Sequence, residues 1–222
     1  MAKRKKPATS RGRRGPRATT ANPVGVRIIG GKFRGRKLEY SGDLRTRPMK
    51  DRVREALFNL LSTTVEGKIA IDLFAGTGAL ALEALSRGAA RAVFIERHRP
   101  TAQTIQRNSA KLGVEAIVDI TSADTFLWAR RLPDLGIAPW LVFCSPPYEF
   151  YVIRKDDMLQ LLDRLIAISP PGSVFAVEFD NRFNFRELPA ADQWDIRPYP
   201  PAILGIWEKQ ERLPSPQVPC FP

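Results

Sequence analysis

The sequence predicts an α/β fold: a mostly parallel sheet with helices on both faces and an antiparallel hairpin at its C-terminal end. Two observations predict it. From about residue 68 onward, short strand-like runs alternate with helical segments. Several of the runs, such as IAIDLF and LVFC, are apolar almost without interruption, as strands covered on both faces must be. The fold should therefore bind ligands at the carboxyl ends of its strands.

A small N-terminal unit precedes the sheet. The strings VRIIGG and RKLEY predict a short β-hairpin with glycine turns at Gly30–Gly31 and Gly35. The string MKDRVREALFNLLS predicts a helix, with Arg52 and Arg54 turned away from an apolar face that is formed by Val53, Ala56, Leu57, Leu60 and Leu61. This unit is expected to span residues 23–66.

The alternating region is expected to form one domain over residues 67–212. Its predicted strands are KIAIDLF, RAVFIE, EAIVDITS, PWLVFCS and GSVFAVEFD. Its predicted helices are GALALEALSRG, RPTAQTIQRNSAKLG, DTFLWARRL and DDMLQLLDRLIAI. Gly88 and Gly113 end two of these helices. The final hairpin joins AILGIWEK to either NFREL or WDIRPY, and the sequence leaves both partners open.

Charge is concentrated at the N-terminal end. Residues 1–54 hold 18 Lys/Arg against 3 Asp/Glu, whereas residues 55–222 hold 17 against 20. A basic end predicts a polyanionic partner. Residues 1–22 are expected to be a disordered basic tail that binds nucleic acid; a bland extension and an organelle-targeting sequence are the alternatives. Residues 213–222 are expected to be a flexible proline-rich tail.

Cysteine and histidine usage excludes several classes of site. Cys144 and Cys220 make neither a disulfide framework nor a metal cluster, and His98 is the single histidine. The sequence therefore argues against a zinc site and against Ser-His-Asp chemistry away from His98. No apolar run reaches the length of a membrane helix, and no signal-peptide core follows the basic start. A cytoplasmic, reducing location is expected.

Polar residues at the ends of the predicted strands mark the expected site. Asp72 is followed by Gly76 and Gly78, and Glu96 ends the next strand. Asp72 would contact a cofactor or cap the glycine turn. Asp124 would contact an adenine or cap a helix. The spacing Gly76-x-Gly78-x-x-Ala81 also satisfies the loose dinucleotide fingerprint, but a carboxylate at Asp72 would repel a pyrophosphate.

Longer strings carry a family resemblance. DLFAGTGALALEALSRGA, FIE and SPPY resemble class I S-adenosylmethionine (SAM) methyltransferases, whose fold is Rossmann-like, that modify amino groups of bases. RIIGGKFRGRKL and LRTRPMKDRVREALFNLL resemble the bacterial enzymes that methylate the exocyclic amino group (N2) of one guanine in small-subunit (16S) ribosomal RNA. The resemblance runs from about Val26 to Lys209.

The resemblance implies a set of roles. SAM would be bound by Asp72, Phe74, Ala75, Gly76, Gly78, Glu96, Arg97 and Asp124. Ribosomal RNA, free or within a small-subunit particle, would meet Arg34, Arg36, Arg45, Arg47, Lys50 and Arg52; a solvated helix face is the alternative for the arginines. The catalytic residues would be Ser145, Pro146, Pro147 and Tyr148, with no metal and no membrane involved.

The proline corner, Ser145–Tyr148, explains how an amino group would be activated. The backbone carbonyl of Pro146 and the first corner side chain would each accept a hydrogen bond from the amino group, and Tyr148 would stack on the base. The family has Asp or Asn where this chain has Ser145. We therefore expect Ser145→Asp or Ser145→Asn to raise turnover. The alternatives are an RNA-binding protein without catalysis and a DNA amino-methyltransferase.

Overall fold

The computed structural model describes residues 25–40 and 49–210. Within these residues the helices are α1 (Asp51–Leu61), α2 (Ala79–Ser86), α3 (Arg99–Leu112), α4 (Thr125–Arg130), α5 (Phe150–Ile153) and α6 (Lys155–Ile168). The strands are β1 (Ile69–Asp72), β2 (Arg91–Ile95), β3 (Val118–Thr121), β4 (Trp140–Cys144), β5 (Val174–Phe179), β6 (Asp195–Tyr199) and β7 (Ala202–Glu208). The predicted alternation of strands and helices is confirmed.

The strands form one seven-stranded sheet in the order β3-β2-β1-β4-β5-β7-β6. The first five strands are parallel, and β7 is antiparallel to both β5 and β6. The predicted fold class is therefore confirmed. The hairpin partner is WDIRPY, which forms β6, whereas NFREL contains a short 3₁₀ turn at Phe185–Glu187. The strand order reverses between β1 and β4, so their carboxyl ends flank the crevice where such sheets bind ligands.

Apolar side chains cover both faces of the sheet. Alternate residues of β4 point to opposite sides: Leu141 and Phe143 join the cluster under α1, α2 and α3, and Val142 and Cys144 join the cluster under α4 and α6. Cys144 is 1% exposed, and burial raises the pKa of its thiol to about 12. Cys144 is therefore a core residue and not a reactive thiolate.

The N-terminal segment, residues 25–40, forms the predicted hairpin in a shorter form. The N–H of Ile28 donates to the carbonyl oxygen of Arg36 at 2.9 Å, and the N–H of Leu38 donates to that of Val26 at 2.8 Å. A single antiparallel bridge joins Arg27 to Lys37, and a 3₁₀ turn spans Gly31–Phe33. The backbone N–H groups of Ile29 and Gly30 donate to the buried carboxylate of Glu83 on α2 instead of to an opposing strand. The segment is thus docked on α2 and contributes Val26, Ile28 and Leu38 to the core.

The prediction that Arg54 turns away from the apolar face of α1 is wrong. The side chain is fully buried, and its Nη2 donates to the carbonyl oxygen of Arg27 at 2.6 Å and to Asp51 Oδ1 at 3.0 Å. Because these acceptors satisfy part of the guanidinium, it can lie between α1 and the N-terminal segment at a tolerable cost of burial. Arg52 is exposed, as predicted.

Within the described ranges, the helices are too short or too polar to cross a lipid bilayer.

Candidate active site

The glycine loop, residues 73–78, connects β1 to α2. Gly76 and Gly78 have φ values of +51° and +77°, in the left-handed region that favours glycine. The N–H of Ala75 donates to the carbonyl oxygen of Ile95 at 3.0 Å, which fixes the loop beside the end of β2. The loop and α2 therefore begin at the switch in strand order, with backbone groups available to a ligand.

Gly78 also has a packing role that the sequence did not reveal. A Cβ atom at this position would lie 3.1 Å from Ile105 and 3.2 Å from Phe94. From the sequence, Gly78→Val is expected to abolish cofactor binding in a folded protein. The structure changes that expectation: the left-handed φ and the tight contacts should make this variant unstable as well.

Asp72 is buried at the base of the glycine loop, with a side chain that is 1% exposed. Neither carboxylate oxygen has a hydrogen-bond partner among the described residues. Burial, and to a smaller extent the charge of Glu96, raises the pKa of this carboxyl to about 7, although the nearby backbone N–H groups of Ala81 and Phe74 oppose the shift. Within the described residues, Asp72 therefore makes no hydrogen bond that would cap the turn, and it is a buried acid at the base of the loop.

Glu96 follows β2 and holds the glycine loop from the other side. One carboxylate oxygen accepts from the N–H of Gly76 at 2.9 Å and the other from the N–H of His98 at 2.7 Å. The residue is half-buried, and each oxygen retains a lone pair for a further donor. Glu96 is thus a positioned acceptor pair, suited to two neighbouring hydroxyls. Arg97 beside it is exposed.

Asp124 immediately precedes α4 and caps its N-terminus, so the helix-cap interpretation is confirmed. Its Oδ1 accepts from the N–H groups of Phe126 and Leu127, at 2.9 and 3.2 Å. The Oδ2 atom lies 3.9 Å from the guanidinium of Arg154. Contact with an adenine stays a prediction, since capping occupies one oxygen only.

An aromatic cluster lies beside Asp124. The ring centroids of Phe74, Phe126 and Phe150 are 5.9–6.3 Å apart, and the Arg154 guanidinium lies 3.9 Å above the Phe126 ring. Phe74 is among the cofactor-binding residues expected from the sequence, whereas Phe126 and Arg154 are not. Neither residue belongs to a motif, so only the fold brings Phe126 to Phe74 and Arg154 to Phe126.

The proline corner directly follows β4, the neighbour of β1. Asp72 and Phe143 are register partners, and the N–H of Leu73 donates to the carbonyl oxygen of Phe143 at 3.0 Å. The corner therefore lies next to the glycine loop. Pro146 is buried, and among the described residues its carbonyl oxygen accepts no hydrogen bond. Ser145 and Tyr148 are half-buried.

Glu178 on β5 completes the corner, although it is not among the site residues expected from the sequence. Its Oε2 accepts from the Ser145 hydroxyl, and its Oε1 accepts from the Tyr148 hydroxyl at 2.7 Å. The available signal was a lone acid in the otherwise apolar string VFAVEF, which forms a fully buried strand. A charged residue at such a position requires partners, and here the partners are two predicted catalytic residues.

The basic residues predicted to meet RNA are only partly within the described ranges. Arg34 and Arg36 are exposed on the N-terminal segment, and the Arg36 Nη2 donates to the carbonyl oxygen of Lys111 at 2.6 Å. Lys50 and Arg52, at the start of α1, are also exposed. Arg45 and Arg47 lie outside the described residues, as do both predicted tails.

No group of three or more His, Cys, Asp or Glu side chains in the described parts of the chain is arranged to hold a metal ion. Two surface depressions lie elsewhere, one between α4 and α6 and the other along α3 and β3. None of the predicted site residues lines either depression. The candidate site is the edge of the sheet that carries Asp72, Glu96, the glycine loop and the proline corner, because the strand order reverses there.

Comparison with known proteins identifies the family. Residues 26–196 match the protein family described as Conserved hypothetical protein 95. This chain belongs to that family. Over 126 residues, 56% of the chain, it is 43% identical to the Escherichia coli protein named Ribosomal RNA small subunit methyltransferase D. The matched segment spans 61% of that relative's own length. The family resemblance found in the sequence is confirmed.

Solved structures share the fold of this family member. A putative methyltransferase from Escherichia coli, 27% identical, aligns over 84% of this chain and 98% of its own, with a TM-score of 0.68. A 16S rRNA N2 guanine methyltransferase from Thermus thermophilus, in complex with AdoMet and guanosine, is 19% identical. It aligns over 84% of this chain and 50% of its own, with a TM-score of 0.64. The fold is that of the class I methyltransferases.

Proposed function

We propose that this protein transfers a methyl group from SAM to the exocyclic amino group (N2) of a guanine in small-subunit ribosomal RNA. The observation that carries the proposal is the proline corner beside the glycine loop: among the described residues, neither the Pro146 carbonyl oxygen nor the Asp72 carboxylate has a hydrogen-bond partner. The names of the Escherichia coli relative and of the Thermus thermophilus neighbour support the reaction and the substrate.

The residues at the sheet edge fit the cofactor. SAM carries a positively charged amino acid end and a ribose with two hydroxyls. Asp72 offers a buried negative charge that no described residue compensates, and Glu96 offers two fixed acceptor oxygens. Gly76 and Gly78 let the backbone approach a ligand closely. When bound, SAM supplies an electrophilic methyl group, so no covalent intermediate with the protein is required.

The corner orients the amino group that receives the methyl. The Pro146 carbonyl oxygen and Ser145 Oγ would each accept one amino proton, which turns the nitrogen lone pair away from the corner. The same two acceptors stabilise positive charge as it develops on the nitrogen. Tyr148 would stack on the base, which must leave its helix or come from a loop.

The RNA partner is supported by charge. The exposed basic side chains Arg34, Arg36, Lys50 and Arg52 belong to the N-terminal segment and the start of α1, which lie on the α2 side of the sheet. Ser145 and Glu178 follow the register positions that point to this same side, so the basic residues and the corner share a face. A protein with this task works where the small subunit is assembled, which in a bacterium is the cytoplasm.

The deciding experiment is methyl transfer from labelled SAM to small ribosomal subunits purified from a strain that lacks the corresponding methyltransferase. We expect incorporation into the RNA and, after digestion, N2-methylguanosine by mass spectrometry. Transfer to duplex DNA instead would support the DNA amino-methyltransferase. A folded protein that takes up no SAM in calorimetry would be an RNA-binding protein without catalysis.

Glu96→Gln is expected to weaken SAM binding by about ten- to a hundredfold, because a hydrogen bond to a charged group contributes about 1.5–3 kcal/mol. In the variant, the NH₂ group of the amide also faces one of the two backbone donors, the N–H of Gly76 or that of His98. Calorimetry should measure the change, with the exposed Glu115→Gln as the matched control. Unchanged affinity in Glu96→Gln would remove Glu96 from the cofactor site.

Deleting residues 1–22 is expected to weaken RNA binding and to flatten its salt dependence, because the deletion removes eight Lys/Arg residues. Each phosphate contact that is lost reduces the number of counterions released on binding. Binding should be titrated at several salt concentrations. SAM affinity should stay unchanged, and an identical salt slope for the truncated protein would show that the tail does not bind RNA.

A further inference from the structure

Glu178 occupies the position next to Ser145 across two parallel strands. Cys144 and Val177 are register partners, so the following residues, Ser145 and Glu178, lie side by side at the carboxyl ends of β4 and β5. Glu178 is 6% exposed, and it is the one acidic residue in a strand that is otherwise apolar. A carboxylate in such a place needs hydrogen bonds to offset its desolvation.

Both hydrogen bonds come from the proline corner. The Ser145 hydroxyl donates its proton to Glu178 Oε2, and the Tyr148 hydroxyl donates to Oε1 at 2.7 Å. A hydroxyl has one proton, so Ser145 Oγ can only accept at its remaining lone pairs. Glu178 therefore sets the direction of the Ser145 hydroxyl and leaves its oxygen as an acceptor for an incoming N–H group.

We propose that Glu178 supplies, through Ser145, the negative charge that an Asp at the first position of this corner would bring. This inference rests on the proposed function. As the nitrogen–carbon bond forms and the carbon–sulfur bond breaks, the amino nitrogen becomes cationic. It then loses a proton to Ser145 Oγ while the Ser145 proton passes to Glu178, which finally releases it to solvent. Glu178 is thus a positioning residue and the terminal proton acceptor.

The hydrogen-bonded pair of Ser145 and Glu178 explains why a serine can serve at the first position of the corner. It also corrects one expectation from the sequence. Ser145→Asp was expected to raise turnover. In the structure, a carboxylate at position 145 would lie against the carboxylate of Glu178, and two like charges at that distance cannot both ionise without a large cost. Ser145→Asp alone should therefore be slower than the wild type. Ser145→Asn remains compatible, because its NH₂ group can donate to Glu178 while its oxygen accepts.

The test is single-turnover methyl transfer to small ribosomal subunits that lack the modification, with SAM and particles saturating. Glu178→Gln should lower the rate about a hundredfold, because it removes the charge and keeps the size. Ser145→Asp should lower it at least about tenfold. The double variant Ser145→Asp/Glu178→Gln again pairs one carboxylate with one neutral side chain. Its rate should therefore return to within about tenfold of the wild-type rate.

The double variant separates catalysis from structure, since a purely structural role of Glu178 predicts that the two losses accumulate. Glu208→Gln is the matched control: it removes an exposed carboxylate from β7, opposite the other end of β5, and should keep the wild-type rate. Affinities for SAM and for the particles should be unchanged in all variants, and thermal unfolding should verify that each is folded.

Two results would overturn the inference while the proposed function stands: a wild-type rate in Glu178→Gln, or a double variant slower than either single variant. If the wild type transfers no methyl group to the particles, the proposed function and the inference both fail. The activity of the wild type therefore distinguishes the two failures.

Discussion

Asp72→Asn is expected to weaken SAM binding by about ten- to a hundredfold and, at pH 8, to raise the free energy of unfolding of the ligand-free protein by about 1–3 kcal/mol. Both effects come from one buried carboxylate that has no hydrogen-bond partner among the described residues. The ammonium group of SAM would compensate its charge. Without SAM the charge is only a cost, so function and stability oppose each other at this position.

The pH dependence fixes the sign of the stability effect. Burial raises the pKa of Asp72 from 3.8 to about 7, so between these values the folded protein binds a proton that the unfolded chain has lost. The stability contribution of Asp72 is complete below pH 3.8 and is lost as the pH rises to about 7. A shift of this size means that the ionised carboxylate destabilises the folded wild type by about 4 kcal/mol. The buried amide of Asp72→Asn also lacks hydrogen-bond partners, which costs about 1–3 kcal/mol, so the variant gains only the difference.

Urea unfolding between pH 4 and pH 8 measures this effect, and calorimetry with SAM measures binding. The wild type should lose stability across the range, and Asp72→Asn should lose less. Asp163→Asn, an exposed position on α6, is the matched control and should change neither quantity. Full SAM affinity in Asp72→Asn would show that this carboxylate does not serve the cofactor.

Glu83→Ala is expected to lower the free energy of unfolding by about 3–5 kcal/mol, because it leaves buried donors without an acceptor. Glu83 is fully buried on α2. Its carboxylate accepts from the N–H groups of Ile29 and Gly30 at 2.7 Å each and from Arg87 Nε at 2.8 Å. The substitution would break the attachment of the N-terminal segment and leave the guanidinium of Arg87 unpaired.

Urea unfolding at pH 7 should measure the loss, with Glu55→Ala on the exposed face of α1 as the control. Because Arg34 and Arg36 lie on the detached segment, RNA affinity should fall in Glu83→Ala while SAM affinity in the folded fraction is unchanged. A loss below about 1 kcal/mol would mean that the segment is held by its apolar contacts alone.

Much of the fold followed from periodicity. The apolar strings that form β1, β2, β4 and β5 could hardly form anything but strands buried on both faces, and helical segments of suitable length lie between them. The N-terminal hairpin is shorter than its strings suggest, because the N–H groups of Ile29 and Gly30 bind a carboxylate that lies 54 and 53 residues further along the chain. Local propensity contains no information about such a partner.

The residues of the candidate site also fall into two groups: those that the sequence locates and those that only the fold brings together. The glycine loop, Glu96 and the proline corner are contiguous motifs at strand ends, so the sequence located them. Helical spacing predicts that Arg54 turns away from the apolar face of α1, yet the side chain is buried and donates to the carbonyl oxygen of Arg27 in the N-terminal segment. Phe126 meets Phe74 of the glycine loop, and Arg154 meets Phe126, only through the packing of distant segments.

The sequence by itself determined the order of strands and helices, the family and the strand ends that carry the candidate chemistry, because each depends on residues close together in the chain. Only the tertiary structure decided which distant groups meet. Parallel pairing of β4 with β5 sets Glu178 beside Ser145, 33 residues away, and folding removes water from both. A serine that seemed a weak substitute in the sequence thereby gains a carboxylate partner.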